Sequence, residues 1–270
     1  MTPSTLGIIV LLVSLVFLLS GMPIAFALGA ASLFFILTLM DFQQFMMTAH
    51  TVFEGLNAFG LLAIPLFILM GAILANTRAG SDLYESIHRW LCRLPGGLGI
   101  SNIVACAIFA ALCGSSPATA AAIGTAGIPE MRKRGYPGSL ATGVIVGGGT
   151  LGILIPPSVT MIVYGIATQT SVGKLFIAGV IPGIIMTLMF SVWVILYMIF
   201  KKKSLLRAGA SASDHFLLAE ESFTLKEKLA GLPRVAPFVL LIIIMMFTLY
   251  GGLATPSEAA AVGSVAALLL

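Results

Sequence analysis

RLPGGLGISNIVACAIFAALCGSSPATAAAIGTAGIPEMR, residues 93–132, is an apolar stretch with arginine at both ends and a small-polar interruption, Cys113-Gly114-Ser115-Ser116-Pro117-Ala118-Thr119, at its middle. As one continuous helix it would be roughly 55 Å long, against a hydrocarbon core of about 30 Å. As two full crossings it is too short, because each arm holds about 17 residues where a span needs about 20. Both ends carry the basic residues that favour the cytoplasmic side. The economical solution is a re-entrant hairpin that enters from the cytoplasm, turns near the bilayer midplane and returns. Irregular backbone at that depth survives only where protein or a water-filled cavity satisfies it, and such places serve as ligand or ion sites.

The composition agrees with a membrane setting: 59% of the 270 residues are hydrophobic and 9% charged. The 14 Lys and Arg fall almost entirely in three polar stretches. Arg78, Arg89 and Arg93 lie in the first, Arg132, Lys133 and Arg134 in the second, and Lys201, Lys202, Lys203, Arg207, Lys226, Lys228 and Arg234 in the third. Only Lys174 stands apart, so placing these stretches in the cytoplasm obeys the positive-inside rule. No soluble basic domain is left to bind nucleic acid. Cys92, Cys106 and Cys113 lack a redox or metal spacing and read as small buried residues. The N-terminal apolar run has no basic residue before it and reads as a retained span.

Outward from the hairpin the chain divides into apolar runs. Gly21-Met22-Pro23 splits residues 5–40 into spans at 5–21 and 23–40. Asp41 to Asn57, with Glu54 and His50 but no Lys or Arg, suits an extracytoplasmic interfacial helix. Residues 59–77 span again. Ser81 to Arg93 is amphipathic, with Leu83, Ile87, Trp90 and Leu91 set against Asp82, Glu85, Arg89 and Arg93. It leads into the hairpin, residues 95–131. Residues 138–169 read as a span broken at its centre: Gly147-Gly148-Gly149-Thr150-Leu151-Gly152 is poor helix, and Pro156-Pro157 ends the run. A span at 175–200 and a cytoplasmic connector at 201–235 follow. Residues 236–252 cross outward. Thr255-Pro256-Ser257-Glu258 then opens a helix with a capping box. That helix has too few residues to cross, and the chain is expected to be C-terminally incomplete.

Two places offer chemistry. The hairpin tip supplies hydroxyls from Ser115, Ser116 and Thr119 with freed carbonyls. The broken span supplies carbonyls at Gly152, Ile155 and Pro157, with the Thr150 hydroxyl beside them. Oxygen ligands of this kind suit a hard cation such as sodium, with no transition metal involved. The competing reading of the glycines is close helix packing, since Gly143/Gly147, Gly148/Gly152 and Gly179/Gly183 all have the small-x-x-x-small spacing. Packing is the preferred reading at Gly179 and Gly183, and a binding site at the two breaks. Gly147-x-Gly149-x-x-Gly152 is no dinucleotide fingerprint, because no strand–turn–helix unit surrounds it. His50, His88 and His215 have no ligand spacing, and no hydrolase or metalloenzyme machinery is visible. No Asp, Glu, Lys, Arg or His falls inside a predicted full span, which favours cation coupling over a proton relay.

The motifs Gly21-x-Pro-Ile-Ala-Phe-Ala-Leu-Gly29, Ala63-Ile-Pro-Leu-Phe-Ile-Leu-Met-Gly71, Cys113-Gly-Ser-Ser-Pro-Ala-Thr-Ala-Ala-Ala-Ile-Gly124, Gly148-Gly-Thr-Leu-Gly-Ile-Leu-Ile-Pro-Pro-Ser158 and Gly251-Gly-Leu-Ala-Thr-Pro-Ser-Glu-Ala-Ala-Ala-Val262 resemble the large membrane subunit of tripartite ATP-independent periplasmic (TRAP) transporters. The resemblance implies an all-α polytopic membrane protein and not an enzyme. It would be an elevator-type secondary transporter of inverted repeats, each with a re-entrant hairpin and a broken transmembrane helix. Residues 1–235 would be the first repeat and 236–270 the truncated start of the second. The implied partners are a small four-helix membrane subunit, a periplasmic substrate-binding protein, the lipid bilayer and an organic acid such as a C4-dicarboxylate or sialic acid. The setting would be the bacterial inner membrane, with a periplasmic N-terminus. Sodium would be the coupling ion and no cofactor is implied. In this family the first hairpin tip and first broken helix build a sodium site, here Ser115 or Ser116 with Gly152, Ile155 and Pro157. The acid would meet Ser116, Pro117, Thr119 and Pro156. The alternative is a sodium–carboxylate symporter of related hairpin architecture that needs no binding protein.

Overall fold

A computed structural model describes residues 3–39, 42–207 and 223–269, and all of its regular structure is helical. Asp41, His215 and residues 208–222 of the expected connector lie outside the described residues. The chain forms two compact units, residues 1–58 and 59–270.

The first unit holds α1 (Pro3–Leu19), α2 (Ile24–Leu39) and α3 (Phe42–Leu56). Gly21, at φ 79°, makes the turn that folds α2 back on α1. Of α2 only Ala27 and Ala31 are buried, and the larger side chains of both helices face outward, as lipid-facing spans require. α3 is amphipathic, with His50 and Glu54 paired at 3.3 Å on its polar face.

In the second unit a 3-10 turn at Phe59–Leu62 leads into α4 (Ala63–Ala75). There follow α5 (Ala79–Leu91), α6 (Gly97–Cys113), α7 (Ser116–Lys133), α8 (Gly138–Leu154), α9 (Val159–Ala167), α10 (Val172–Arg207), α11 (Leu225–Tyr250) and α12 (Pro256–Leu269). Among the described residues three stretches are long and apolar enough to cross a bilayer: Gly138–Ala167, Val172–Lys201 and Leu225–Tyr250. The expected hairpin is α6–α7. Its first arm has 17 residues, about 25 Å at the helical rise and short of a crossing. α6 is the most enclosed element, packed by α5, α7, α8 and α10.

Contacts within this unit gather the basic residues at one end. Val194 and Met198 of α10 close over Gly96 and Gly99 at the open end of the hairpin. Ser86 and Arg89 of α5 donate to the Gly231 and Glu227 carbonyls at the start of α11, at 3.1 and 2.9 Å. At the other end Ser257 of α12 donates to the Phe59 carbonyl at 3.2 Å, and Gly60 faces Ile166 of α9. α12 runs parallel to α4, because Ser264 repeats the same register with the Leu66 carbonyl at 2.8 Å. The expected capping box is formed: the Thr255 amide donates to Glu258 Oε2 at 2.7 Å and the Glu258 amide to Thr255 Oγ1 at 3.3 Å.

Two expectations are corrected. Gly147 to Gly152 are helical, and α8 continues to Leu154, so the break lies at residues 155–158. Packing overrides the low helix propensity: Gly148 admits Cys106, Gly149 admits Ala120 and Gly152 admits the hairpin tip. The connector is shorter than residues 201–235, since α10 reaches Arg207 and α11 begins at Leu225. A second capping box starts α11, with the Thr224 amide on Glu227 Oε2 at 2.8 Å. On α5 the buried face holds Leu83, Tyr84 and His88, while Trp90 is 48% exposed.

Candidate functional site

The site grows from two interruptions of helix that touch. α6 ends on Gly114, whose φ of 59° is left-handed, and Ser115 is extended before α7 begins at Ser116. Glycine is required at 114 twice over, because a Cβ there would also overlap the Pro157 carbonyl oxygen. Pro117 fits the first turn of α7, where its missing N–H costs nothing. Thr119 is fully buried; its hydroxyl donates to the Ser115 carbonyl at 2.8 Å and lies 3.2 Å from Cys113 Sγ. These bonds hold the tip rigid.

The second interruption follows from Pro156-Pro157. In a helix the carbonyls of Gly152 and Ile153 would accept from residues 156 and 157, and neither proline has an N–H. Ser158 compensates at one of them, its hydroxyl donating to the Ile153 carbonyl at 2.6 Å. Ser158 is extended, and α9 starts at Val159, whose amide donates across to the Gly114 carbonyl at 3.3 Å. That bond ties the two interruptions together.

α8 meets the tip closely. A Cβ on Gly152 would stand 2.8 Å from the Ser115 carbonyl carbon and the Ser116 nitrogen. The Ser116 hydroxyl is buried with no hydrogen-bond partner. Thus Ser115, Ser116, Thr119, Gly152 and Pro157 are brought together. Ile155 and Pro156 sit at the break but line an apolar cavity of about 510 Å³ between α6, α10 and α11. Thr150 points elsewhere: it is exposed, and its hydroxyl donates to the Gly147 carbonyl at 2.6 Å. Pro117 is exposed at the rim. Gly179 and Gly183 are packing glycines, and what they pack on is the break itself, through Leu154, Met161 and Ile155.

The Gly114 carbonyl and the Ser158 hydroxyl were not singled out in sequence. Ser158 had a signal, a hydroxyl immediately after two prolines. Gly114 had none, because its partner amide comes from a segment 45 positions away.

Electrostatically the contact is mixed. The carbonyl ends of α6 and α8 favour a cation, and the amide ends of α7 and α9 favour an anion. Among the described residues no three of His, Cys, Asp and Glu are grouped as a metal site would need. The groups at the contact are neutral oxygens, a set that would suit a hard cation.

Residues 11–270 match the family described as tripartite ATP-independent periplasmic transporter, DctM component. The chain belongs to that family. Among curated relatives of this DctM-family chain is the C4-dicarboxylate TRAP transporter large permease protein of Pseudomonas aeruginosa, 41% identical over 217 residues, covering 80% of this chain and 48% of the relative. Its Vibrio cholerae counterpart is 39% identical over 247 residues, 91% of this chain and 51% of the relative. An ectoine TRAP transporter large permease protein of Halomonas elongata is 32% identical over 254 residues, 94% of this chain and 56% of the relative. The chain spans about half the length of the curated relatives it matches. These relatives are named as transporter permease proteins, not as enzymes, and the long apolar helices of this family member are those of an integral membrane protein.

Proposed function

We propose that this chain carries the first repeat of a sodium-coupled permease that imports an organic acid, with residues 236–270 opening the second repeat. The reading is carried by one observation: the unpartnered, buried Ser116 hydroxyl stands beside the Gly152 segment, whose carbonyl Pro156 deprives of its helical donor. A sodium ion between them would take oxygens from Ser115 or Ser116 and from Gly152 and Pro157. The amide ends of α7 and α9 would attract the substrate carboxylate, close to Ser116, Pro117 and Thr119. α12 supports the repeat assignment, since it starts at the end opposite the three basic stretches.

The substrate would be a C4-dicarboxylate or a related acid. Relatives named for C4-dicarboxylates and for ectoine match at comparable coverage, so the substrate class rests on contacts beyond those shared here. A periplasmic binding protein would deliver it, and a small membrane subunit would complete the assembly in the bacterial inner membrane. The three basic stretches would face the cytoplasm and the N-terminus the periplasm.

The test is Ser116→Ala in a large permease of full family length, reconstituted with its partner subunits. A hydroxyl on an ion is worth about 1.5–3 kcal/mol, so apparent sodium affinity should fall about ten- to a hundredfold. Stability should hold or rise, because the hydroxyl has no partner to lose. Unchanged sodium activation would remove the site.

A further inference from the structure

The amphipathic helix α5 and the start of α11 make a second polar feature that the transport reading does not use. Lys228 is 9% exposed, deep burial for an ammonium. No carboxylate among the described residues lies within ion-pair distance of it. Its recorded neighbour is the Trp90 ring, with Nζ 5.6 Å from the centroid. The nearby carboxylates are committed elsewhere: Glu85 pairs with Arg89, and Glu227 caps its own helix through the Thr224 amide. Trp90 is half exposed, and Arg93 and Leu94 follow it, both exposed, at the end of the molecule where the basic residues gather. On α11, Leu225, Leu229 and Leu232 face outward at helical spacing, with Lys226 and Arg234 between and beside them.

We infer that Lys228 and Trp90 hold the phosphodiester of an anionic glycerophospholipid from the cytoplasmic leaflet. The chemistry matches group by group. An ammonium without a counter-ion, on a side chain otherwise buried, attracts an anion. An indole half out of the protein sits at headgroup depth. An outward leucine row beside basic residues is the pattern of a helix lying in an anionic interface. The lipid would then pin the junction of α5 and α11, which Ser86 and Arg89 already tie by two hydrogen bonds.

The chain's two tryptophans make the site directly readable. In a Trp193→Phe background Trp90 is the sole reporter. The protein is placed in nanodiscs of phosphatidylcholine with a minor fraction of either brominated phosphatidylglycerol or brominated phosphatidylcholine. Brominated phosphatidylglycerol should quench Trp90 more strongly. Lys228→Met should lower that preference at least about fivefold, while Lys228→Arg keeps it. Lys228→Met removes an unpaired buried charge and keeps the side-chain volume, so folding should survive, and Lys228→Arg provides the charge-retaining comparison. Equal quenching by both lipids overturns the assignment, as does a preference that survives Lys228→Met. Displacement by inorganic phosphate overturns the lipid as its source. A preference that appears only when Asp214, Glu220 and Glu221 are neutralised would show the chain's own carboxylates on the ammonium, and would equally overturn it.

Discussion

Substituting alanine at two glycines of one helix should give opposite results. A Cβ on Gly152 would lie 2.8 Å from two backbone atoms of the hairpin tip, short of ordinary contact, which begins at 3.4 Å, by about 0.6 Å. Backbone on both sides cannot swing aside as a flexible side chain would, so the tip and α8 must part. Overpacking of this sort costs about 1–3 kcal/mol. The better helix propensity of alanine returns up to about 1 kcal/mol. At Gly147 a Cβ would meet nothing within 4 Å, so only the propensity gain remains. Gly147→Ala should therefore stabilise slightly, and Gly152→Ala should be less stable than Gly147→Ala by about 1–3 kcal/mol. Thermal unfolding in detergent, with and without sodium, measures both. Sodium should raise the melting temperatures of wild type and of Gly147→Ala alike, and should do so less for Gly152→Ala. Equal stability of the two variants, with equal sodium response, would refute the claim that tip and helix are in tight backbone contact at the ion site.

Two further outcomes follow from the placement of charge. Single cysteines at Arg93 and Arg132, in a background lacking Cys92, Cys106 and Cys113, should react with a membrane-impermeant thiol reagent from the same face of the bilayer; labelling from opposite faces would turn the hairpin into a crossing. Tyr136, in the loop between α7 and α8, is pushed up from 10 to about 12 by burial, with Arg134 acting weakly the other way. A raised phenol pKa contributes stability that is whole below pH 10 and is lost as pH climbs through about 12. Ultraviolet titration of wild type minus Tyr136→Phe should give a phenolate step near the upper value; a step at 10 would mean that the loop is open to water.

The hairpin was legible because length and charge act together: arms too short to cross and basic residues at both ends leave one topology. The Thr255–Glu258 cap was legible for the same kind of reason, as a local pattern whose partners lie three residues apart. Thr224 and Glu227 form the same motif, yet they sit in a polar stretch that composition assigned to a connector. The break in the second span was misplaced because glycine propensity is a weak, local term. Gly148, Gly149 and Gly152 are helical because α6 and α7 press on them, and those neighbours are far away in sequence. On α5, periodicity grouped Leu83, Ile87, Trp90 and Leu91 on one apolar face; the structure buries Leu83 with Tyr84 and His88 and leaves Trp90 exposed, because α11 and the hairpin arms approach from one side. The bond from Val159 to Gly114, which joins the two halves of the candidate site, is backbone to backbone and leaves no trace in side-chain identity.

Two successive prolines have a consequence that a single proline would not. One missing N–H frees one carbonyl, which a neighbouring hydroxyl can take up. Two missing N–H groups free two, and here a single nearby hydroxyl, that of Ser158, answers for Ile153. Gly152 loses its helical donor in the segment that meets the tip, and the tip brings one buried hydroxyl without a partner, that of Ser116. Each orphan costs about 1–3 kcal/mol, far less than an isolated ionised carboxylate in the same medium. Such a pocket can hold a cation only weakly, because every ligand is a dipole and none a full charge. Weakness suits a carrier, which must take up its ion on one side and give it back on the other. An aspartate at position 116 would bind the ion more tightly and, with the ion gone, would leave a bare charge in the membrane. In the proposed site, the neutral pair Ser116–Gly152 would let the filled and empty states differ by only a few kcal/mol, which is the range over which an ion gradient can decide between them.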